Sequence, residues 1–161
     1  MIEGMRKAVP GITLRTTFIT GFPGETDEEF EEMLSFVKEA RFDNLGAFAY
    51  SPEPGSGAEP LGDPVPAEVK EERKSRLLAA QQPIAKAKNR ERKGKTFDAL
   101  LEGPCADTDL LLEGRIAAQA PEIDGRLLVN RVPDGWEPRV GEIVRVKVTK
   151  SHEYDLVGTV L

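Results

Sequence analysis

Residues 51–66 divide the chain, because no regular secondary structure can run through them. This segment contains five prolines and three glycines. Proline lacks an amide hydrogen and glycine is not confined to one backbone conformation, so a stretch this rich in both forms an ordered loop or a linker. The sequence is therefore expected to fold as separate pieces on the two sides of this segment.

The residues before this segment follow a helix, strand, helix, strand pattern. Residues 1–9 are typical of the end of a helix, and the β-branched and apolar residues 12–20 predict a buried strand. Thr26 and Glu29 have the spacing of a capping box, after which apolar residues recur at helical spacing. Residues 45–50 predict a second strand. A strand, a helix and a strand in this order make a right-handed parallel βαβ unit.

The residues after the segment predict one long helix and a small barrel. The helix runs from about residue 66 to residue 92, and Pro83 predicts a kink or a break near Gln82, because proline removes an amide donor. Five short β-rich runs follow, separated by turns: 96–101, 110–118, 126–132, 142–149 and 154–160. Five such strands predict a small antiparallel β-barrel of the oligonucleotide-binding type.

Charge separates the chain into three units. Residues 1–65 carry 5 basic and 12 acidic residues, residues 66–93 carry 9 and 4, and residues 94–161 carry 8 and 12. The basic middle unit is explained by a solvated connector or by a binding surface, and the sequence leaves both open.

No apolar run in the sequence is long enough for a membrane helix, and the N-terminus lacks the pattern of a signal peptide. We therefore expect no membrane partner and a cytoplasmic location.

The segment RTTFITGFPGET, residues 15–26, places a glycine-rich turn between the end of a strand and the start of a helix. Ligands bind at this position in α/β folds, because backbone amides and the helix dipole point toward it. A tight turn also needs glycine for steric reasons alone. The motif by itself therefore fits either a binding turn or a structural one.

The longer segment 15–58 closely resembles the radical S-adenosylmethionine methylthiotransferases, which contain a near-identical RTTFIVGFPGET stretch and a strand ending in YSPxxGT. This chain has Ser56 where that family usually has threonine. The resemblance implies that residues 1–65 are the C-terminal part of a radical S-adenosylmethionine partial TIM-type barrel. It also implies that seven residues line, shape or lie near the cofactor pocket: Thr17, Gly21, Pro23, Gly24, Glu25, Tyr50 and Ser51.

The last unit, residues 94–161, resembles a TRAM domain, and residues 66–93 resemble the linker helix of the same enzymes. The sequences APEIDG and EYDLVG are most similar to the branch that methylthiolates the β-carbon of an aspartate in ribosomal protein S twelve. An acidic barrel suits such a basic partner better than it suits tRNA. Three carboxylates in these sequences either serve their turns or contact the substrate: Glu122, Asp124 and Asp155.

The family's two 4Fe-4S clusters need cysteines that this chain does not supply. Cys105 is the single cysteine, expected in a loop or in the core, and His152 is the single histidine, in no catalytic motif. We therefore expect a segment of a longer enzyme, inactive without the missing N-terminal part that is its partner. Two alternatives stay open: a segment of a tRNA methylthiotransferase, or a non-enzymatic TRAM-type module that binds RNA or protein.

Overall fold

The structure, a computed structural model, describes all 161 residues and divides into two compact units, Met1–Ile84 and Ala85–Leu161. The boundary lies inside one helix, α3 (Ala67–Arg92). Before it come α1 (Ile2–Ala8), β1 (Arg15–Thr20), α2 (Asp27–Ala40), β2 (Asn44–Ala49) and a 3-10 turn (Glu59–Leu61). After it come five strands: β3 (Thr96–Cys105), β4 (Thr108–Ile116), β5 (Leu127–Arg131), β6 (Ile143–Ser151) and β7 (Leu156–Val160). The division into residues 1–65, 66–93 and 94–161 stays a prediction.

The first unit contains the predicted parallel strand pair. β1 and β2 run in the same direction, with Arg15 opposite Asn44 and Thr20 opposite Ala49. Alternate residues of β1 point to opposite faces, so Phe18 is half-buried while Ile19 is exposed. The buried face packs against α2 and α3 in one apolar cluster: Phe30, Leu34, Val37, Ala47, Leu77 and Ile84.

Helix α2 begins at the predicted capping box. The Thr26 hydroxyl accepts a hydrogen bond from the Glu29 amide at 3.2 Å, and the Glu29 carboxylate accepts one from the Thr26 amide at 2.9 Å. Two amides that would otherwise lack a partner at the helix start are thereby satisfied. The helix ends at Arg41, which takes the left-handed conformation, with φ of 48°.

Helix α3 is continuous through Pro83, so the predicted break is wrong. Proline at this position removes one amide donor and costs about 3 kcal/mol in a helix interior. Apolar packing on both sides of the proline offsets that cost, because Leu77, Ile84 and Ala85 are buried. A local penalty therefore does not end a helix of 26 residues that is anchored along its length.

The second unit is a closed five-stranded barrel in the order β3-β4-β5-β7-β6, with β6 pairing back to β3. Its interior is filled by aliphatic side chains from all five strands: Ala99, Leu101, Ile116, Leu127, Val129, Val144, Val146, Val148, Leu156 and Val160. Cys105, at the end of β3, is also buried, as expected of a core residue. Closure leaves no unpaired edge on the barrel.

The prediction of an all-antiparallel barrel is wrong at one pairing, because β5 and β7 are parallel. An odd number of strands cannot alternate in direction all the way round a closed ring, so one neighbouring pair must be parallel. The other four pairings are antiparallel. β3 also extends beyond the predicted 96–101 to Cys105, with a register shift between Leu101 and Gly103.

Candidate functional sites

The carboxyl ends of β1 and β2 meet at one rim of the first unit. The Tyr50 amide donates to the Thr20 carbonyl at 2.9 Å, which keeps the two strand ends side by side. The glycine-rich turn leaves the rim after Thr20, and Ser51 follows the other strand. The rim therefore brings together six of the seven residues predicted for the cofactor pocket, while Thr17 lies earlier on the exposed face of β1.

Glu25 closes the turn instead of facing outward. Its Oε1 accepts a hydrogen bond from the Gly21 amide at 3.0 Å and another from Arg73 Nη1 of α3 at 2.5 Å. Arg73 also donates to the Glu25 carbonyl at 3.2 Å and to Asp27 at 2.6 Å. Burial lowers the pKa of Arg73, but its hydrogen bonds and charge pairing with Asp27 and Glu25 outweigh this and hold the pKa above its ordinary value.

Lys70 of α3 lies directly against Gly21. A Cβ added to Gly21 would lie 2.2 Å from Lys70 Cγ, and Gly21 has a φ of +70°, so no other residue fits there without movement. The Lys70 ammonium donates to the Tyr50 carbonyl at 3.0 Å and to both carboxylate oxygens of Asp63, at 2.7 and 2.6 Å. The Tyr50 ring is buried beneath it. Gly21 and Tyr50 are therefore held by α3.

Sequence reasoning missed the part played by Lys70 and Arg73. Both are buried, at 5% and 6% exposure, although they belong to the basic unit that a solvated connector would explain. For these two cations the connector interpretation is wrong. The excess of basic residues in that unit, nine in all, indicates that some of them have a role beyond solvation. A charge count does not indicate which of these cations are buried.

Three of the remaining predicted residues are open, and Pro23 is half-buried. Nothing lies within 4 Å of a Cβ added to Gly24, and Thr17 and Ser51 are exposed. Beside Thr17, the same face of the strand pair carries Gly46 and the exposed apolar side chains of Ile19 and Phe48. A face with a hydroxyl, a glycine and two apolar side chains fits one part of S-adenosylmethionine, a ligand that combines a flat purine with polar groups.

The side chains of this chain do not fit an iron–sulfur cluster. No group of three or more histidine, cysteine, aspartate or glutamate side chains is placed to hold a metal ion. Cys105 is buried in the barrel. Cluster ligation requires three or four thiolates, so the donors of this chain do not match a cluster.

A groove of about 620 Å³ on the barrel contains all three carboxylates predicted to serve turns or substrate. They are Glu122, Asp124 and Asp155, joined by Tyr154 and by acidic and basic residues of β3 and β4. Sequence reasoning had placed these carboxylates in two separate turns. The barrel brings the two turns together.

Two of these carboxylates serve the backbone. Asp124 Oδ2 accepts a hydrogen bond from the Ala120 amide at 2.7 Å, and Asp155 Oδ1 accepts one from the Arg126 amide at 2.8 Å. Glu122 is exposed and has a φ of 63°. Of the three carboxylates, Glu122 is the one that projects from the turn with no hydrogen-bond or ion-pair partner.

Arg126 neutralises part of the groove. It donates to Asp107 at 2.7 Å and to Glu113 at 3.1 Å. The hydrogen bond with Asp107 and the charge of Glu113 raise the pKa of Arg126 above its ordinary value. Arg115 likewise pairs with Glu102 at 2.8 Å. Carboxylates still outnumber cations among the groove residues by five to two, so the groove is acidic.

The outer surface of the barrel also has a basic row. Arg131 of β5 lies opposite Thr159 of β7, and Thr159 lies opposite Lys147 of β6. Two strand spacings place the backbones of Arg131 and Lys147 about 10 Å apart. Arg145 and Lys150 extend the row along β6. All four cations are exposed and form no ion pair, although exposed Asp98 of β3 lies opposite Arg145. The net charge of the barrel therefore conceals a local group of cations.

Residues 94–161 match the family described as "TRAM domain". Along its whole length the chain is similar to proteins named "Ribosomal protein uS12 methylthiotransferase RimO". It is 48% identical to the one from Solibacter usitatus over 100% of the chain, and 46% identical to the one from Aquifex aeolicus over 98%. The chain is thus RimO-like over its whole length, and residues 94–161 match a TRAM domain. The resemblance inferred from its motifs is thereby confirmed.

The RimO-like chain spans about a third of the length of these relatives, 34% of the Solibacter protein and 36% of the Aquifex protein. A protein of the same name from Myxococcus xanthus is 44% identical over the full chain and is covered to 33%. None of the helices combines the length and the apolar character that crossing a membrane requires.

Proposed function

We propose that the RimO-like chain is part of a radical S-adenosylmethionine methylthiotransferase that acts on the β-carbon of an aspartate in ribosomal protein S twelve. The similarity of the whole chain to relatives with that protein in their names supports the proposal. Residues 1–65 would supply part of the radical S-adenosylmethionine barrel, and residues 66–93 the linker helix. Residues 94–161 would dock the substrate, in the cytoplasm, where ribosomal proteins are made.

The observation that carries the substrate proposal is the acidic groove on the barrel. Glu122 projects from it without a partner, while Asp124 and Asp155 hold its two turns in place. A ribosomal protein is rich in lysine and arginine, and complementary charge both speeds such an association and selects for it. The groove therefore suits a basic peptide segment, with Glu122 as the contact and the two aspartates as its supports.

The cofactor proposal concerns Thr17, Pro23, Gly24 and Ser51, which would face S-adenosylmethionine, and Gly21, Glu25 and Tyr50, which would shape the rim. When bound, S-adenosylmethionine and two 4Fe-4S clusters would supply the radical hydrogen abstraction and the sulfur transfer that this reaction requires. The clusters would be held by residues outside this chain, because one buried cysteine cannot ligate them. We accordingly propose that the 161 residues alone have no turnover.

Titration of the chain with purified ribosomal protein S twelve tests the substrate proposal. Glu122→Lys and Glu137→Lys change the net charge equally, but Glu137 lies outside the groove. We expect Glu122→Lys to raise the Kd about tenfold or more, because a like charge facing a basic partner costs several kcal/mol, and Glu137→Lys to change it little. Equal effects of the two variants would count against the groove. Methylthiolation by the isolated chain would refute the proposed inactivity.

The basic row favours a second candidate function, a tRNA methylthiotransferase segment. Four unpaired cations on adjoining strands could neutralise phosphates, and each neutralised phosphate adds to the salt dependence of binding. If Arg131, Arg145, Lys147 and Lys150 all contact tRNA, the slope of log Kobs against log salt is roughly −3 to −4. A slope of that size, abolished by replacing the four cations with alanine, would favour tRNA as the substrate over the ribosomal protein.

A further inference from the structure

The base and the tip of the Gly21–Glu25 turn differ in what surrounds them. At the base, Gly21 is buried against Lys70, and the Glu25 carboxylate is shared between the Gly21 amide and Arg73. At the tip, Gly24 is in open space and Phe22 is exposed. Helix α3 therefore fixes the base of the turn, while the tip of the turn is exposed.

Lys70 and Arg73 are one helical turn apart and hold different parts of the rim. The Lys70 carbonyl accepts a hydrogen bond from the buried Thr20 hydroxyl at 3.1 Å, and its ammonium binds the Tyr50 carbonyl and Asp63. Arg73 reaches the carbonyl and the carboxylate of Glu25. Because residues three apart on a helix share a face, one face of α3 secures the ends of both strands.

The charged groups of Lys70 and Arg73 both have hydrogen-bond partners, and the geometry of those bonds favours one conformation of the turn. Three ammonium hydrogens of Lys70 meet three acceptor oxygens. The planar guanidinium of Arg73 spans Glu25 and Asp27, a geometry that a single ammonium cannot reproduce. Removing one partner would leave the other buried charge uncompensated, so the conformation of the turn depends on both cations.

We propose that Lys70 and Arg73 are positioning residues that hold the Gly21–Glu25 turn in the conformation that binds S-adenosylmethionine. This inference rests on the proposed function. It assigns to α3 a role in ligand binding on the first unit, in addition to that of a linker. Glu25 then acts on the ligand through the turn that it closes, since its Oε1 accepts from Gly21 and Arg73.

The test compares Arg73→Gln with Arg76→Gln in the full-length enzyme that contains this chain. Arg76 is the control, because it lies one helical turn beyond Arg73 on α3 and its guanidinium lies over the same Phe30 ring. It pairs with Glu31 and does not touch the Gly21–Glu25 turn. The readouts are the Kd of S-adenosylmethionine by calorimetry and the amide exchange of a peptide that covers the turn.

We expect Arg73→Gln to raise the Kd about ten- to a hundredfold, as the loss of supporting residues does at metal sites, and to speed exchange in the turn. Arg73→Lys keeps the positive charge but loses the planar guanidinium that spans Glu25 and Asp27. We therefore expect this variant to bind S-adenosylmethionine more tightly than Arg73→Gln but less tightly than the wild type. Arg76→Gln should leave both readouts unchanged.

An Arg73→Gln enzyme that binds S-adenosylmethionine as tightly as the wild type would overturn the inference and leave the proposed function standing. Equal weakening by Arg76→Gln would also overturn it, because the effect would then come from α3 in general. If the wild-type enzyme itself binds no S-adenosylmethionine, the proposed function fails, and the inference about its cofactor fails with it.

Discussion

Asn89 of α3 organises one wall of the barrel groove, and its removal has a predictable cost. This side chain is 4% exposed, and its two amide hydrogens are donated to the carbonyls of Glu153 and Tyr154 at 3.1 and 3.0 Å. The His152 carbonyl, at 3.4 Å, shares one of the same hydrogens. The Asn89 side-chain oxygen accepts a hydrogen bond from Arg92 at 2.6 Å. One buried amide thus holds the turn that presents Tyr154 and Asp155 to the groove.

The magnitude follows from these contacts. The bonds at 3.0 and 3.1 Å are of ordinary length and each contributes about 1 kcal/mol, whereas the bond at 3.4 Å contributes less. Loss of the charge-assisted bond from Arg92 adds a similar amount. We expect Asn89→Ala to lower the free energy of unfolding of the barrel unit by about 2–3 kcal/mol.

Urea unfolding followed by tryptophan fluorescence measures this effect. Trp136 is the only tryptophan and packs against the barrel core, so its fluorescence reports on the second unit. With a slope of about 1–2 kcal/mol per molar urea, the midpoint should fall by about 1–3 M. The control is Asn130→Ala, because exposed Asn130 makes only a 3.4 Å bond with Thr159 and should change stability by less than about 0.5 kcal/mol. Equal midpoints for the two variants would refute the reasoning.

Two further predictions concern close packing and a helix start. Gly125→Ala would place a Cβ 2.1 Å from the Tyr154 carbonyl oxygen, a backbone atom, so we expect a loss of about 1–3 kcal/mol in the same urea assay; an unchanged midpoint would contradict the packing. Thr26→Ala removes one half of the capping box and should cost about 1 kcal/mol in thermal unfolding followed by circular dichroism, whereas Ser35→Ala, on the exposed face of α2, should cost little.

Most elements were predictable because their signals are local. The capping box needs only Thr26 and Glu29, and the parallel pair needs only the order of strand, helix and strand. The five barrel strands were recognisable from short runs between turns. The two wrong predictions, a break at Pro83 and an all-antiparallel barrel, concern features that depend on residues far apart in the sequence. Pro83 is tolerated because distant residues pack beside it, and the parallel pairing of β5 with β7 is a property of closing the whole ring.

The candidate sites were predictable only in part. The position of Asp124 in a turn is a local matter, since its partner Ala120 is four residues away. Asp155 instead supports Arg126, 29 residues away, and the groove forms only when the two turns meet. Resemblance had assigned Glu25 to the cofactor pocket together with Gly24. The structure separates them, one closing the turn and the other open at its tip.

The sequence by itself determined the elements, their order and the RimO-like character of the chain, because spacing, turn residues and motifs are written along the chain. Only the tertiary structure decided which charges are buried. A charge count treats the nine basic residues of 66–93 alike. The charged groups of Lys70 and Arg73 nevertheless leave water for partners up to 48 residues away. Burial of a charge depends on acceptors supplied by other elements, and those acceptors are in place only after the chain has folded.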